Sequence, residues 1–183
     1  MSIDTYANSK VAQYFFRMIG TVLDSRFRYQ FFGPEKTLQG ADIQSGQTVL
    51  EIGCGTGFYT LAAAKQLGDR GCLVAMDLYL EAVERVSQKV QAADLKNVRV
   101  VKGDAMNTRL DSESMDAVLL FGVIPAPVLP LDRLLPEMRR VLKGEGILAV
   151  WPPIPGWLPQ SILQSKLFTY ANRRNGVYNF RRG

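Results

Sequence analysis

Histidine is absent from this chain, which removes histidine-ligated metal sites and histidine general bases together. Cysteine is almost as scarce. Cys54 and Cys72 are too few for a disulfide scaffold and form no CxxC pair. Long apolar runs are missing too: the longest uncharged one, Ala117 to Leu131, is shorter than the ~20 residues of a membrane-spanning helix and is broken by Pro125, Pro127 and Pro130. The first residues, MSIDTYANSK, show no basic start leading into an apolar core, so no signal peptide is expected and the cytoplasm is the default location. What remains is ordinary. A chain of 183 residues with 47% hydrophobic and 21% charged side chains is one globular domain, at most with a short appendage.

The net charge of +5 sits at the two ends. Lys166, Arg173, Arg174, Arg181 and Arg182 have no acid among them, and residues 1–36 carry five Lys/Arg against three Asp/Glu. Such an asymmetry speaks to partners and says nothing of fold.

From residue 48 onward short β-rich runs alternate with helical patterns, which argues for a parallel sheet flanked by helices. Strands are expected at Thr48–Ile52, Cys72–Met76, Val98–Val101, Ala117–Phe121 and Gly146–Trp151. Helices are expected at Tyr59–Leu67, Leu80–Ala93 and Leu131–Leu142, with Val83, Val86 and Val90 marking the face that the second lays on the sheet. Lys143-Gly144-Glu145-Gly146 reads as a helix stop and a turn into the fifth strand. Leu167–Arg174 and Val177–Arg182 flank Asn175-Gly176, whose residue types suit a type I′ hairpin turn. The first 40 residues stand apart: Thr5–Asp24 keeps helical apolar spacing, and an aromatic stretch follows, with Gly33-Pro34 as a break.

The first strand runs into Glu51-Ile52-Gly53-Cys54-Gly55-Thr56-Gly57 and then a helix. Glycines there allow a tight turn and bring backbone N–H groups to a ligand beside a helix N-terminus. A G-x-G-x-x-G/A dinucleotide fingerprint fails in both registers, because Phe58 or Thr60 occupies the third small position. No Gly-Lys-Ser/Thr follows, so the phosphate-binding Walker pattern fails as well. Asp77, 20 residues beyond Gly57, ends the second strand; an acid there can accept from both hydroxyls of a ribose, or can cap the next helix. Asp104, in Gly103-Asp104-Ala105 after the third strand, can accept from an adenine amino group while the Ala105 N–H donates to the ring, or can form a loop Asx turn.

These elements, in this order, resemble the class I S-adenosylmethionine-dependent methyltransferases. VLEIGCGTG is similar to that family's first motif, Asp77 to its ribose-binding acid, GDA to its adenine-contacting turn, DAVLLFG to its fourth strand and EMRRVLKGEGILAV to the elements that follow. The resemblance covers roughly residues 45–151, and the terminal hairpin matches the sixth and seventh strands. It implies an α/β, Rossmann-like, doubly wound and mostly parallel seven-stranded sheet with a C-terminal antiparallel hairpin. An N-terminal helical lid over residues 1–40 would precede a cofactor-binding domain over residues 41–183. The implied contacts to S-adenosylmethionine are Glu51, Gly53, Cys54, Gly55, Thr56, Gly57, Asp77, Leu78, Gly103, Asp104, Ala105, Phe121 and Gly122. Among these, the resemblance sets Glu51 near the cofactor's amino group and Phe121 and Gly122 near its methionine portion.

Methyl transfer from a sulfonium needs positioning more than acid–base groups, so a chain without histidine suits it. The absences narrow the acceptor. An Asn/Asp-Pro-Pro-aromatic run, used on exocyclic base amines, is missing after strand four, where Phe121-Gly122-Val123-Ile124-Pro125 stands instead. Cys54 and Cys72 read as small packing residues, which disfavours cytosine-C5 and arsenite chemistry. Carboxylates are not clustered, so no metal is expected. Phe121, Val123, Ile124, Val128, Leu129, Trp151, Ile154 and Trp157 supply apolar walls, and a small hydrophobic or lipid-like acceptor fits them best, with Tyr14, Ile124, Trp151 and Trp157 as its expected contacts. The N-terminal aromatics interleave with Arg17, Arg26 and Arg28 and read as a lid over the site or as a membrane-surface helix. RNA binding through the basic tail would want a broader basic surface. An S-adenosylmethionine-binding regulatory or accessory protein without transferase activity, or an RNA methyltransferase, is the alternative.

Overall fold

The structure, a computed structural model, describes residues 33–124, 129–152 and 159–183. The elements run α1 (Pro34–Gly40), β1 (Thr48–Ile52), α2 (Thr60–Leu67), β2 (Cys72–Asp77), α3 (Leu80–Ala92), β3 (Val98–Lys102), β4 (Met115–Phe121), α4 (Leu131–Val141), β5 (Leu142–Trp151), α5 (Gln160–Gln164), β6 (Phe168–Arg174) and β7 (Val177–Arg182). They form one seven-stranded sheet in the order β3-β2-β1-β4-β5-β7-β6. β1 to β5 pair in parallel, and β7 is antiparallel to both β5 and β6. The order reverses between β1 and β4, and in open α/β sheets the crevice at the C-terminal ends of such strands receives ligands.

Both faces of the sheet are covered, so the central strands are apolar on both sides. Leu50, Ile52, Val118, Leu120, Leu148 and Val150 pack beneath Leu134, Leu135 and Met138 of α4 and Ile162 of α5. Their alternates Val49, Ala117, Leu119 and Ala149 pack beneath Leu38 of α1 and Ala63, Ala64 and Leu67 of α2. Val86 and Val90 of α3 meet Cys54 and Ala75. On α3 the fully covered stripe is Ala82, Val86 and Val90, one turn apart each time, while Val83 is only half-buried.

Three expectations change. Lys143–Gly146 is no turn: α4 stops at Val141, Leu142 is already extended, and β5 begins there. Met115 pairs with Leu142 but Ala117 pairs with Ile147, so the extra residues of β5 are absorbed as a bulge within the strand. Gly33-Pro34 is a helix start, since proline at the first helical position costs no hydrogen bond. The helix it opens, α1, is locked to the terminal hairpin rather than standing apart from the sheet. Asn179 Nδ2 donates to Gly40 O (2.7 Å), Asn175 Nδ2 to Lys36 O (2.8 Å), and Arg174 pairs with Asp42. A Cβ on Gly40 would sit 2.3 Å from Arg174 O. The hairpin turn itself is as expected, with Asn175 at φ 47° and Gly176 at φ 81°. The helix expected over Thr5–Asp24 lies outside the described residues. Among the described residues no helix is long and apolar enough to cross a membrane.

Candidate functional site

The chain leaves β1 at Ile52 and turns on Gly53 (φ 72°), Gly55 (φ 54°) and Gly57 (φ 79°), a left-handed conformation that side-chain-bearing residues resist. The N–H groups of Gly53 and Cys54 both donate to Met76 O, at 2.8 and 3.2 Å, which bends the loop toward β2. There Asp77 ties three elements together. Its Oδ2 accepts from Gly55 N–H (2.9 Å), its Oδ1 from Tyr79 N–H at the start of α3 (3.0 Å), and its carbonyl from Gly103 N–H (2.9 Å). The carboxylate has four acceptor positions in all, so these backbone bonds do not exhaust it. Lys89 of α3 steadies the other side of the loop, donating to Thr56 O at 2.8 Å.

Glu51 precedes the loop on the same face as α2. It is 3% exposed, and Thr60 Oγ1 donates to its Oε2 at 2.7 Å. Burial pushes its carboxyl up to about 8; the Thr60 hydroxyl opposes this and the neighbouring Asp77 adds to it. Burial also raises Asp77, against the pull of the backbone N–H groups of Tyr79, Gly55 and Leu78. Neither carboxylate has a cationic partner among the described residues. Two buried acids without a cation beside the glycine loop fit a ligand that brings both hydroxyl donors and positive charge. The Cys54 thiol is pushed far up by burial, then by Glu51 and Asp77, and is no nucleophile.

Leu78 is half-buried beside Asp77. In the next turn Asp104 Oδ1 accepts from Met106 N–H (2.8 Å) and its carbonyl from Asn107 N–H (3.0 Å), so the Asx turn is present. Gly103 is packed tightly, with a Cβ there 2.8 Å from Met76 Sδ.

Beyond β4, Gly122 N–H donates to Trp151 O (2.8 Å), while Gly122 is exposed, at φ 74°, with no atom within 4 Å of a Cβ built on it. Open space therefore lies at the end of β4. Sequence reasoning missed the aromatic row beside it. Tyr59, just after the glycine loop, meets Phe58 (4.9 Å between centroids), Phe121 (5.0 Å) and Trp151 (6.3 Å), all edge-on. Its only sequence signal was the Phe-Tyr pair after Gly57. Ile124 is fully buried in the core beneath α4 and offers no surface, and Leu129 packs against that core. Tyr14, Val128, Ile154 and Trp157 lie outside the described residues.

Two other acids are employed elsewhere. Asp116 accepts from Thr48 N–H (2.8 Å) and Lys143 Nζ (2.7 Å) at the opposite end of β1. Glu137 accepts from Arg140 and from the hydroxyl and N–H of Thr108, which holds it down at about 2 and pins the β3–β4 connection to α4. Among the described residues no group of three metal-ligating side chains occurs.

The comparisons agree with this geometry. A demethylmenaquinone methyltransferase of Listeria welshimeri is 34% identical over 128 residues, 67% of this chain and 53% of its own. One from Lactobacillus johnsonii is 30% identical over 118 residues, 63% of this chain and 48% of its own. The chain spans about half the length of the curated relatives it matches. A crystal structure of a SAM dependent methyltransferase from Aquifex aeolicus superposes with a TM-score of 0.73 at 26% identity, covering 90% of this chain and 96% of that one. The family model described as "Methyltransferase domain" matches residues 49–146, from within β1 through the bulge of β5, and so takes in the glycine loop, Asp77 and the Gly103–Ala105 turn. This chain belongs to the methyltransferase domain family.

Proposed function

We propose that this domain transfers a methyl group from S-adenosylmethionine to a small, hydrophobic, lipid-like acceptor in the cytoplasm. The observation that carries it is the junction at the switch point, where Asp77 holds Gly55 N–H beside the buried, cation-free Glu51. When bound, S-adenosylmethionine supplies a methyl group already activated on a positively charged sulfonium. The residues hold it: Asp77 takes the ribose hydroxyls with its free lone pairs and Leu78 lies alongside. Gly103, Asp104 and Ala105 receive the adenine. Gly53, Cys54, Gly55, Thr56 and Gly57 form the turn it lies against, Glu51 faces the amino group, and Phe121 and Gly122 lie along the methionine portion.

The acceptor reading draws on half-buried Trp151, at the end of the aromatic row that starts from the buried Tyr59 and Phe121, and on relatives named as demethylmenaquinone methyltransferases. In this reading Tyr14 and Trp157 join Trp151 in contacting it, and the segment before α1 acts as the lid. Catalysis is by alignment of acceptor and methyl group, a source of large rate gains without a general base. The engagement of Asp116 and Glu137 elsewhere supports this reading.

Calorimetry should show S-adenosylmethionine binding, and labelled methyl groups should appear on demethylmenaquinone or a short-chain analogue. Binding without transfer to any extracted lipid would favour an accessory protein, and transfer to RNA would refute the acceptor class.

A further inference from the structure

From Gly146 to Gly183 the chain contains no acidic residue. That acid-free stretch includes the second half of β5, α5 and the hairpin β6–β7, and β6 is an edge strand of the sheet. Of its five cations, three are paired, Arg174 with Asp42, Arg181 with Glu145 and Arg182 with Glu113. Lys166 and Arg173 have no acidic partner among the described residues, and the Arg173 guanidinium is propped 4.7 Å above the Tyr178 ring. The same region carries two of the three large hydrophobic side chains that stand exposed among the described residues, Leu163 (44%) on α5 and Tyr170 (52%) on β6. Tyr170 packs edge-on against Phe180, whose core lies beneath α4 and α5, so it faces the α5 side of the sheet. β7 runs antiparallel to β5, which puts the hairpin tip at the C-terminal edge of the parallel strands. A Cβ on Gly176 would lie 3.3 Å from Trp151 Nε1 at the rim of the candidate site.

We propose that the α5–β6 surface, through Leu163, Lys166, Tyr170 and Arg173, docks the protein sideways onto an anionic lipid membrane, with its Arg173 end toward the candidate site. Unpaired cations flank exposed aromatic and aliphatic groups on a stretch of chain that has no acid of its own, and the acids that reach it from elsewhere, Asp42, Glu113 and Glu145, are each matched by an arginine. This is the composition of an interfacial contact. The bulge between Tyr170 and Asn172 and the arginines at the tip also make β6 a poor template for pairing with another strand, which sets a second protein edge aside. The inference rests on the lipid-like acceptor proposed above. Vesicle binding is read without turnover, however, so either can fail while the other stands.

The test is co-sedimentation of the full chain with phosphatidylcholine vesicles, with and without phosphatidylglycerol, at low and high salt. Wild type should bind the anionic vesicles and be released by salt. Lys166→Glu with Arg173→Glu should weaken that binding roughly tenfold or more. Leu163→Ser with Tyr170→Ser should weaken it as well, and thermal unfolding of each variant should match wild type. Arg99→Glu, on the exposed face of the opposite edge strand, removes the same kind of charge and should leave binding unchanged within about twofold. Absent binding by wild type, undiminished binding by the Lys166/Arg173 variant, or equal loss in Arg99→Glu would each overturn the proposal.

Discussion

Replacing Glu51 by glutamine should stabilise the ligand-free protein while damaging the site. Glutamine keeps the shape and an oxygen for the Thr60 hydroxyl, but it is neutral at every pH. The Glu51 carboxyl titrates near 4.5 in the unfolded chain and is pushed up to about 8 in the fold, chiefly by burial. A raised carboxyl binds its proton more tightly in the native state, so its contribution to stability is complete below pH 4.5 and drains away as pH rises through 8. At 1.36 kcal/mol per pH unit the loss is about 3 kcal/mol at pH 7 and levels off near about 5 kcal/mol above pH 8. Glu51→Gln escapes this loss. Its advantage over wild type in urea unfolding should be near zero at pH 4.5, grow through neutrality and flatten above pH 8. Saturating S-adenosylmethionine should narrow or reverse the order, because the positive ligand favours the ionised glutamate. An advantage of the same size at pH 4.5 and pH 9, or none at all, would show that burial of this carboxyl is not the governing term.

Four further outcomes are expected. Asp77→Ala removes the acceptor of two backbone N–H groups and of the proposed ribose hydroxyls, so S-adenosylmethionine affinity by calorimetry should fall at least ~10-fold, on the basis of ~1.5–3 kcal/mol for charge-assisted hydrogen bonds. Gly40→Ala drives a methyl group into Arg174 O and should cost about 1–3 kcal/mol in thermal unfolding without changing cofactor affinity. Glu137, held at about 2 by Arg140, contributes stability that is present above pH 4.5 and lost as pH falls toward 2; Glu137→Gln should therefore flatten the acid limb of the stability profile and leave kcat at pH 7 unchanged. Deleting residues 1–32 should raise the acceptor KM or abolish turnover, with cofactor affinity reduced less.

The chain itself determined much of this protein because the signals involved are local. Strand and helix periods, the glycine loop and the Asn175-Gly176 turn depend on residues within one element, and β1, β7 and the hairpin turn match the sequence expectation. Spacing alone placed Asp77 at the end of β2, but its bond to Gly55 across 22 residues is a product of folding. Contacts between elements were not legible. Nothing in Lys143–Gly146 announces a bulge, because a bulge is a mismatch between two strands and belongs to neither. The docking of α1 rests on bonds spanning 139 residues, from Asn175 and Asn179 to Lys36 and Gly40. Ile124 read as a pocket wall beside Phe121, yet the core beneath α4 takes it entirely, while Tyr59, from the far side of β1, reaches Phe121 and Trp151. Burial and the nearness of Asp77, which together push Glu51 upward, are properties of the packed sheet. They exist only once α2 has closed over the end of β1.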